Sequence, residues 1–336
     1  MHNTFDDFES HHLSDGFDQI PDDIILLIFN KLSDIKSLTR CRSVTKRFNL
    51  LVLQAENILV KVDCVVSSET GDSILLHVLK SLLQSLHDLI SPKQRYNSSF
   101  PPRNQSSPSE ILRDFEKIKR LEIELPSGDL RLEKGIVLRW KAEFGKSLET
   151  CVILAIRSID EVKGEDCVQS NGDDMEGNSG LKLRVVWTIS ALIAASTRHY
   201  LLREVIREHK QIEDLVLRDR EGEGTVVMNK QGLGEFRESE GEGNVRTVGW
   251  RNRTTVPAMR MRMRHAARID LPCGVRVTGA TLVVIKPTNG NEVMKNDNEE
   301  QVEDNGMALG VFEGVFGEVV GALLKKPSYL LEMNSF

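Results

Sequence analysis

A chain of 336 residues is long enough for one large domain or two ordinary ones, and its 40% hydrophobic and 28% charged residues are the proportions of a soluble globular protein. A formal net charge of -6 and a pI near 5.8 count against wholesale nucleic-acid binding, which needs a basic surface to displace counterions. The five cysteines, at 41, 64, 151, 167 and 273, form no C-x-x-C pair. They point to neither a disulfide framework nor a zinc site, and are read as reduced thiols of a cytosolic or nuclear protein.

In chain order, residues 1–16 are polar and acidic, without the basic start and apolar core of a signal peptide, and are expected to be disordered. The block 17–59 then reads as three short helices. Pro21 can occupy a first helical turn, where its missing N–H would be unpaired anyway. Asp22 and Asp23 put negative charge at the positive end of the dipole. Ile24, Ile28 and Leu32 repeat every four residues, with Leu27 beside them. Ser33 and Asp34 can cap a second helix carrying Leu38 and Cys41. Ser43 or Thr45 can cap a third, in which Phe48, Leu51 and Val52 share a face. Three helices of this size bury little surface alone. Their leftover apolar faces are better suited to one half of an interface than to a closed core.

This block resembles an F-box. The resemblance rests on Ile20-Pro21, the spaced Ile24, Ile28 and Leu32, Leu38 in the second helix, and the ending Val44-Thr45-Lys46-Arg47-Phe48. Ile20 stands where Leu is usual, Ser33-Asp34 replaces a frequent proline-containing turn, and Thr45 replaces Ser; each keeps size or capping chemistry. The resemblance implies that Ile20, Pro21, Ile24, Leu27, Ile28, Leu32, Leu38, Val44, Lys46, Arg47 and Phe48 bind a Skp-type adaptor, which bridges to a cullin.

Residues 60–90 read as a helical extension, in which Leu75, Leu79, Leu82, Leu86 and Leu89 make one apolar stripe over 73–90. Residues 91–109, rich in Ser, Pro and Asn, read as a linker. From 110 to 336 a mixed domain follows. Ser109 can cap a short helix with Ile111, Leu112, Phe115 and Ile118 on one face. Strands are expected at 120–125, 129–132, 137–140, 151–156, 215–217, 225–228, 256–263, 275–277 and 281–285. A long helix is expected over 184–215, its first half apolar nearly all round and therefore buried deeper. Acidic or polar insertions near 160–180, 235–246 and 289–306 read as disordered, and a helix near 307–325 closes the domain.

The apolar run 185–196 is too short to cross a bilayer. The run 307–324 holds two G-x-x-x-G spacings but also Glu313 and Glu318. A charge at the bilayer centre costs about 2.5–3.5 kcal/mol, so no membrane span is expected. The segments KIKRLEIEL, SLETCVILAI and QIEDLVLRD fit either an irregular leucine-rich-repeat-like arrangement or a plain mixed sheet with helices on one face. The fold class expected is therefore α/β: a small all-helical F-box followed by a mixed helix/strand domain.

Two charged patterns stand out. Lys36, Arg40, Arg42, Lys46 and Arg47 form either a phosphate contact or a solvated face that meets an acidic adaptor. In Met259–Arg264 the residues alternate, so that on a strand the methionines take one face and Arg260, Arg262 and Arg264 the other. That second face is either a site for an anion or acidic partner, or a counterweight to the acidic run 235–242. No G-x-S-x-G, G-x-x-x-x-G-K-[ST] or H-E-x-x-H occurs. His199 and His265 read as structural, and neither a catalytic residue nor a metal or other cofactor is expected.

Beyond the F-box, the runs Trp140–Ser158, Leu183–Glu204, Arg220–Met228 and Leu331–Phe336 are similar to plant auxin-up-regulated F-box proteins. The resemblance implies a non-catalytic substrate receptor of an SCF-type ubiquitin ligase. Its partners would be a Skp-type adaptor, a cullin through it, and a protein target, in the nucleus and/or cytoplasm and in auxin responses. The alternatives are a non-degradative F-box adaptor or scaffold, or a regulator binding nucleic acid through the basic stretch 251–268.

Overall fold

The computed structural model describes residues 16–17, 19–62, 112, 114–126, 135–161, 178–241, 256–288 and 297–334. The readings for 1–15, for most of the extension and linker (63–111), and for the strand at 129–132 lie outside them. Helices α1 (Asp22–Leu32), α2 (Ile35–Arg42) and α3 (Lys46–Val52) open the fold. Pro21 stands just before α1, and Asp22 and Asp23 fill its first turn. Asp34 caps α2 by accepting from the Ser37 N–H at 3.0 Å, and Thr45 caps α3 by accepting from the Phe48 N–H at 3.0 Å.

Among the described residues, ten strands form one sheet. They are β1 (Asn57–Lys61), β2 (Arg120–Leu125), β3 (Val137–Phe144), β4 (Leu148–Ile156), β5 (Ser158–Glu161), β6 (Asp214–Asp219), β7 (Gly224–Met228), β8 (Met259–Asp270), β9 (Val275–Pro287) and β10 (Ser328–Met333). The order across the sheet is β1-β2-β6-β7-β3-β4-β9-β8-β10, with β5 also alongside β9. The run β1-β2-β6 is parallel, while β6-β7, β3-β4, β4-β9, β9-β8 and β8-β10 are antiparallel. KIKRLEIEL and QIEDLVLRD thus become adjacent parallel strands, as a repeat would place them, but SLETCVILAI is the antiparallel β4 elsewhere in the sheet. The fold is the mixed helix/strand sheet.

Helices α4 (Asn178–Glu208) and α5 (Lys230–Gly241) lie on one face, and α6 (Asp297–Ala308) and α7 (Val315–Leu323) on the other. Cys151, Ile153 and Ala155 of β4 enter the first core and Val152, Leu154 and Ile156 the second. A strand buried on both faces reads as a continuous apolar run for this reason. Where β4 gives way to β5, Gly279 of β9 has φ +60, and a Cβ there would stand 2.9 Å from the Arg157 Cβ. The crossing needs glycine.

The three-helix block passes into a strand, so residues 60–62 of the expected helical extension are not helical, and the rest of that extension lies outside the described residues. Its chain continues as β1, whose Asn57–Lys61 pairs in parallel register with Arg120–Glu124 of β2. The outer edge of β1 is closed by the block itself. The Leu59 N–H donates to the Ser33 carbonyl at 2.9 Å, and the Asn30 side-chain oxygen accepts from the Glu56 and Asn57 N–H groups at 2.7 and 3.2 Å. Phe29, Leu38, Val52 and Ile58 share one core with Phe115, Ile118 and Leu121. A fragment of residues 17–59 lacks that partner surface and is expected to show no cooperative unfolding by circular dichroism, whereas the full chain does.

Other expectations change as well. The helix expected over 184–215 stops at Glu208 and β6 begins at Asp214. Its first half is not enclosed all round: Val186 and Ile193 are exposed, as is Tyr200, at seven-residue steps along one outer stripe. Of the segments 235–246 and 289–306, expected to be disordered, the described parts 235–241 and 297–306 are helical, within Lys230–Gly241 and Asp297–Ala308. The strands expected at 275–277 and 281–285 are one, β9, and β10 follows a helix that was expected to close the domain. The run 307–324 is broken at Gly310 (φ +75) and Gly314 (φ +60). Among the described residues, no helix is long and apolar enough to cross a membrane.

Candidate functional site

Helix α1 presents two apolar faces. Ile25 and Phe29 point inward and are buried at 2% and 3% exposure, whereas Ile24, Leu27, Ile28 and Leu32 are 40–55% exposed. The buried pair anchors the helix to α3 and β1, and what remains outward is a solvent-facing aliphatic stripe. Leaving such side chains in water forgoes about 1.5–3 kcal/mol each relative to full burial. A row of four on one helix is an exposed apolar patch of the kind that serves docking in soluble proteins.

The other predicted residues divide between contact and support. Pro21, Val44 and Lys46 are exposed, and Ile20 is partly buried against the core. Leu38 is fully enclosed, so it cannot touch a partner; it holds α2 against the shared core. Phe48 sits edge-on between Phe17 and Phe29, with ring centroids 5.7 and 5.4 Å away. The Arg47 guanidinium reaches back to the Asp22 carboxylate and to the carbonyls of Phe17 and Ile20, at 2.5 and 3.0 Å for the Ile20 and Phe17 bonds. This clasp ties the segment before α1 to α3. Arg42 is likewise engaged, with Asn49 and with Asp114 at 2.9 Å. The basic cluster is thus partly internal, and Lys36, Arg40 and Lys46 are its exposed members. Sequence reasoning missed Phe17 and Leu50, which stand 53% and 65% exposed in the same block. Leu50 carries no signal apart from its place beside the inward Leu51.

Arg260, Arg262 and Arg264 do take one face of β8, and Met259, Met261 and Met263 the opposite, core-facing one. As an open site for an anion or acidic partner the arginine face is ruled out, because α6 lies across it. Arg260 pairs with Glu300 at 2.6 Å, Arg262 with Asp304 at 2.7 Å, and Arg264 donates to the Asn305 side-chain oxygen at 2.8 Å. Arg262 and Arg264 are 2% and 0% exposed. The acidic partner is the chain's own 297–308 segment rather than the run 235–242.

Among the described residues, no group of three or more His, Cys, Asp or Glu is arranged to hold a metal ion. His199 is stacked on Phe144 at 4.3 Å and meets Phe236 edge-on at 5.5 Å. Burial holds its imidazole pKa down at about 4, and burial likewise holds that of His265 at about 4. Both stay neutral in the fold. In the unfolded chain they titrate near 6.5, so the unfolded state binds more protons between those limits. Stability is therefore full above about pH 6.5 and falls as the pH drops towards 4, with His199 contributing on the order of 3 kcal/mol. Urea midpoints at pH 7 and 4.5 should differ, and His199→Phe, which keeps the ring stack, should flatten that slope.

With this geometry in place, comparisons with known proteins agree with it. A family model described as F-box-like matches residues 17–56, the three-helix block up to the start of β1. The chain is 44% identical to F-box protein AUF1 of Arabidopsis thaliana, across 96% of this chain and 100% of that protein. It is 45% identical to F-box protein AUF2 of the same plant over the same shares. F-box protein At4g18380, also from Arabidopsis thaliana, is 38% identical across 96% of this chain and 94% of its own. No solved structure matches the chain. A three-helix module with an unpaired aliphatic stripe, joined to a domain alike along nearly its whole length, places the chain in the auxin-up-regulated F-box family of plant F-box proteins.

Proposed function

We propose that the chain is the non-catalytic substrate-recognition subunit of an SCF-type ubiquitin ligase. The exposed α1 stripe of Ile24, Leu27, Ile28 and Leu32 carries the reading, because a Skp-type adaptor supplies the apolar surface these side chains lack. The domain from β2 onward recruits the target, and the adaptor links it to a cullin and the ubiquitin-charged enzyme. No bond is made or broken on this chain: it raises the effective concentration of the target lysine at the charged enzyme. Because β1 makes the F-box part of the same sheet as the recruiting domain, adaptor and target are held at a set distance. A role in auxin responses follows the family to which the relatives belong, and the compartment proposed with it is the nucleus and/or cytoplasm.

The test is co-purification from plant cells of the tagged full chain with adaptor and cullin, together with target lifetimes measured with and without it. Recovery of both subunits and adaptor-dependent turnover is the expected result. Recovery of the adaptor with no change in any target's lifetime would instead favour a non-degradative scaffold.

A further inference from the structure

One cavity belongs neither to the adaptor face nor to the arginine face. It measures about 530 Å³, within the range of small-molecule sites. It lies where the turn between α3 and β1, the approach to β2, the turn between α4 and β6, and helix α5 converge.

Its floor is one rung of the parallel sheet. Glu56, Lys119 and Glu213 stand one residue before the paired Asn57, Arg120 and Asp214. Their backbones are already joined: the Lys119 N–H donates to the Glu56 carbonyl at 2.8 Å, and the Glu213 N–H to the Lys119 carbonyl at 2.7 Å. The cavity is thus preformed. Along the rung the charges alternate and cancel, Lys119 pairing with Glu56 at 2.7 Å and Lys230 with Glu213 at 2.8 Å.

What remains is three cations against one carboxylate, Glu116. Lys117 donates only to a neutral acceptor, the Gln54 side-chain oxygen at 3.1 Å. Lys210 has no ion pair among the described residues. Arg237 donates through Nη2 to the carbonyls of His209 and Ile212 at 3.3 and 2.9 Å, which orient the guanidinium without neutralising it. Its Nε is buried and has no hydrogen-bond partner among the described residues. Burial also holds the Arg237 pKa below its ordinary value.

We propose that this cavity binds a small soluble anion bearing two or more phosphate groups, with Lys117, Lys210 and Arg237 as its ligands. Two surplus positive charges call for a multivalent anion, and lysine point charges beside an arginine fork are the usual phosphate ligands. Size selects a small molecule: a cavity of about 530 Å³ does not hold a long chain, and the net charge of -6 repels a long polyanion such as nucleic acid. The site goes beyond the adaptor reading and does not depend on it.

Calorimetry of the full chain with inorganic tripolyphosphate at low salt tests the proposal. Saturable one-site binding is expected, at least about tenfold tighter than for inorganic monophosphate and weakening as salt is raised. Lys117→Glu and Lys210→Glu should each weaken it at least about tenfold. Both lysines are exposed, so the unliganded Tm should stay unchanged and loss of binding cannot be misread as unfolding. Lys325→Glu/Lys326→Glu, a charge reversal just past α7, should leave binding as it was. Absence of saturable binding, or an equal loss in the distant double variant, would overturn the site.

Discussion

Adaptor capture is lost in a chain carrying Pro21→Ala and Ile28→Asp, while the Tm stays within a few degrees of the parent. That is the expected result if the outward face of α1 is the docking surface. Both residues are exposed, Ile28 at 46%, so the fold has little to lose. In a complex, the new carboxylate would be driven into an apolar contact without a counter-charge, and removal of the proline frees the entry to the helix. Interface anchors are worth about 2–4 kcal/mol each, so a loss of about 4 kcal/mol, roughly a thousandfold in Kd, is expected. Quantitative pull-down against a titrated Skp-type adaptor measures it. Unchanged capture would remove the interface assigned to α1.

The second large effect is on stability. Asp219 is fully enclosed and accepts three hydrogen bonds, from Arg198 at 3.0 Å and from the N–H groups of Glu223 and Gly224 at 2.6 and 2.7 Å. Arg198 is 2% exposed, lies over the Trp140 ring at 4.8 Å and donates to the Gly224 carbonyl. Gly224 is required here, since a Cβ would stand 2.3 Å from that ring. Asp219→Ala removes the buried carboxylate that faces the Arg198 guanidinium and orphans two backbone donors. A broken buried pair costs about 3–5 kcal/mol, a large share of a total near 5–15 kcal/mol. A fall in Tm of about 10 °C is expected by calorimetry. Asp114→Ala, which removes the exposed partner of Arg42, should cost less than about 1 kcal/mol. Equal effects from the two would show that the buried pair holds nothing.

Local chemistry made the F-box legible. Its helices announce themselves through a four-residue aliphatic period and two side-chain caps, Asp34 and Thr45, that the structure forms as expected. The alternation in Met259–Arg264 likewise placed each side chain on its correct face. What the sequence did not disclose was which segments meet at long range. β1 has only Ile58 and Val60 to bury, too short a pattern to stand out, and its partner lies more than 60 residues away at 120–124. Helix α6 has almost no apolar face, Val302 being 72% exposed; it is held by ion pairs to arginines about 40 residues earlier, and such pairing leaves no periodicity. Helix α5 did carry a signal, in Asn229 accepting from the Gly232 N–H at 2.8 Å and in Leu233 with Phe236 turned inward, but its acidic composition masked it. Leu38 shows a further limit: a residue of a family motif can belong to the motif for packing rather than for contact.

Backbone amide exchange of the full chain, with and without a Skp-type adaptor, tests the central claim most directly. Protection should rise across Asp22–Leu32 and around Val44–Phe48 and stay constant in β8 under α6. Unaltered exchange along α1 in a chain that has nonetheless captured the adaptor would contradict it.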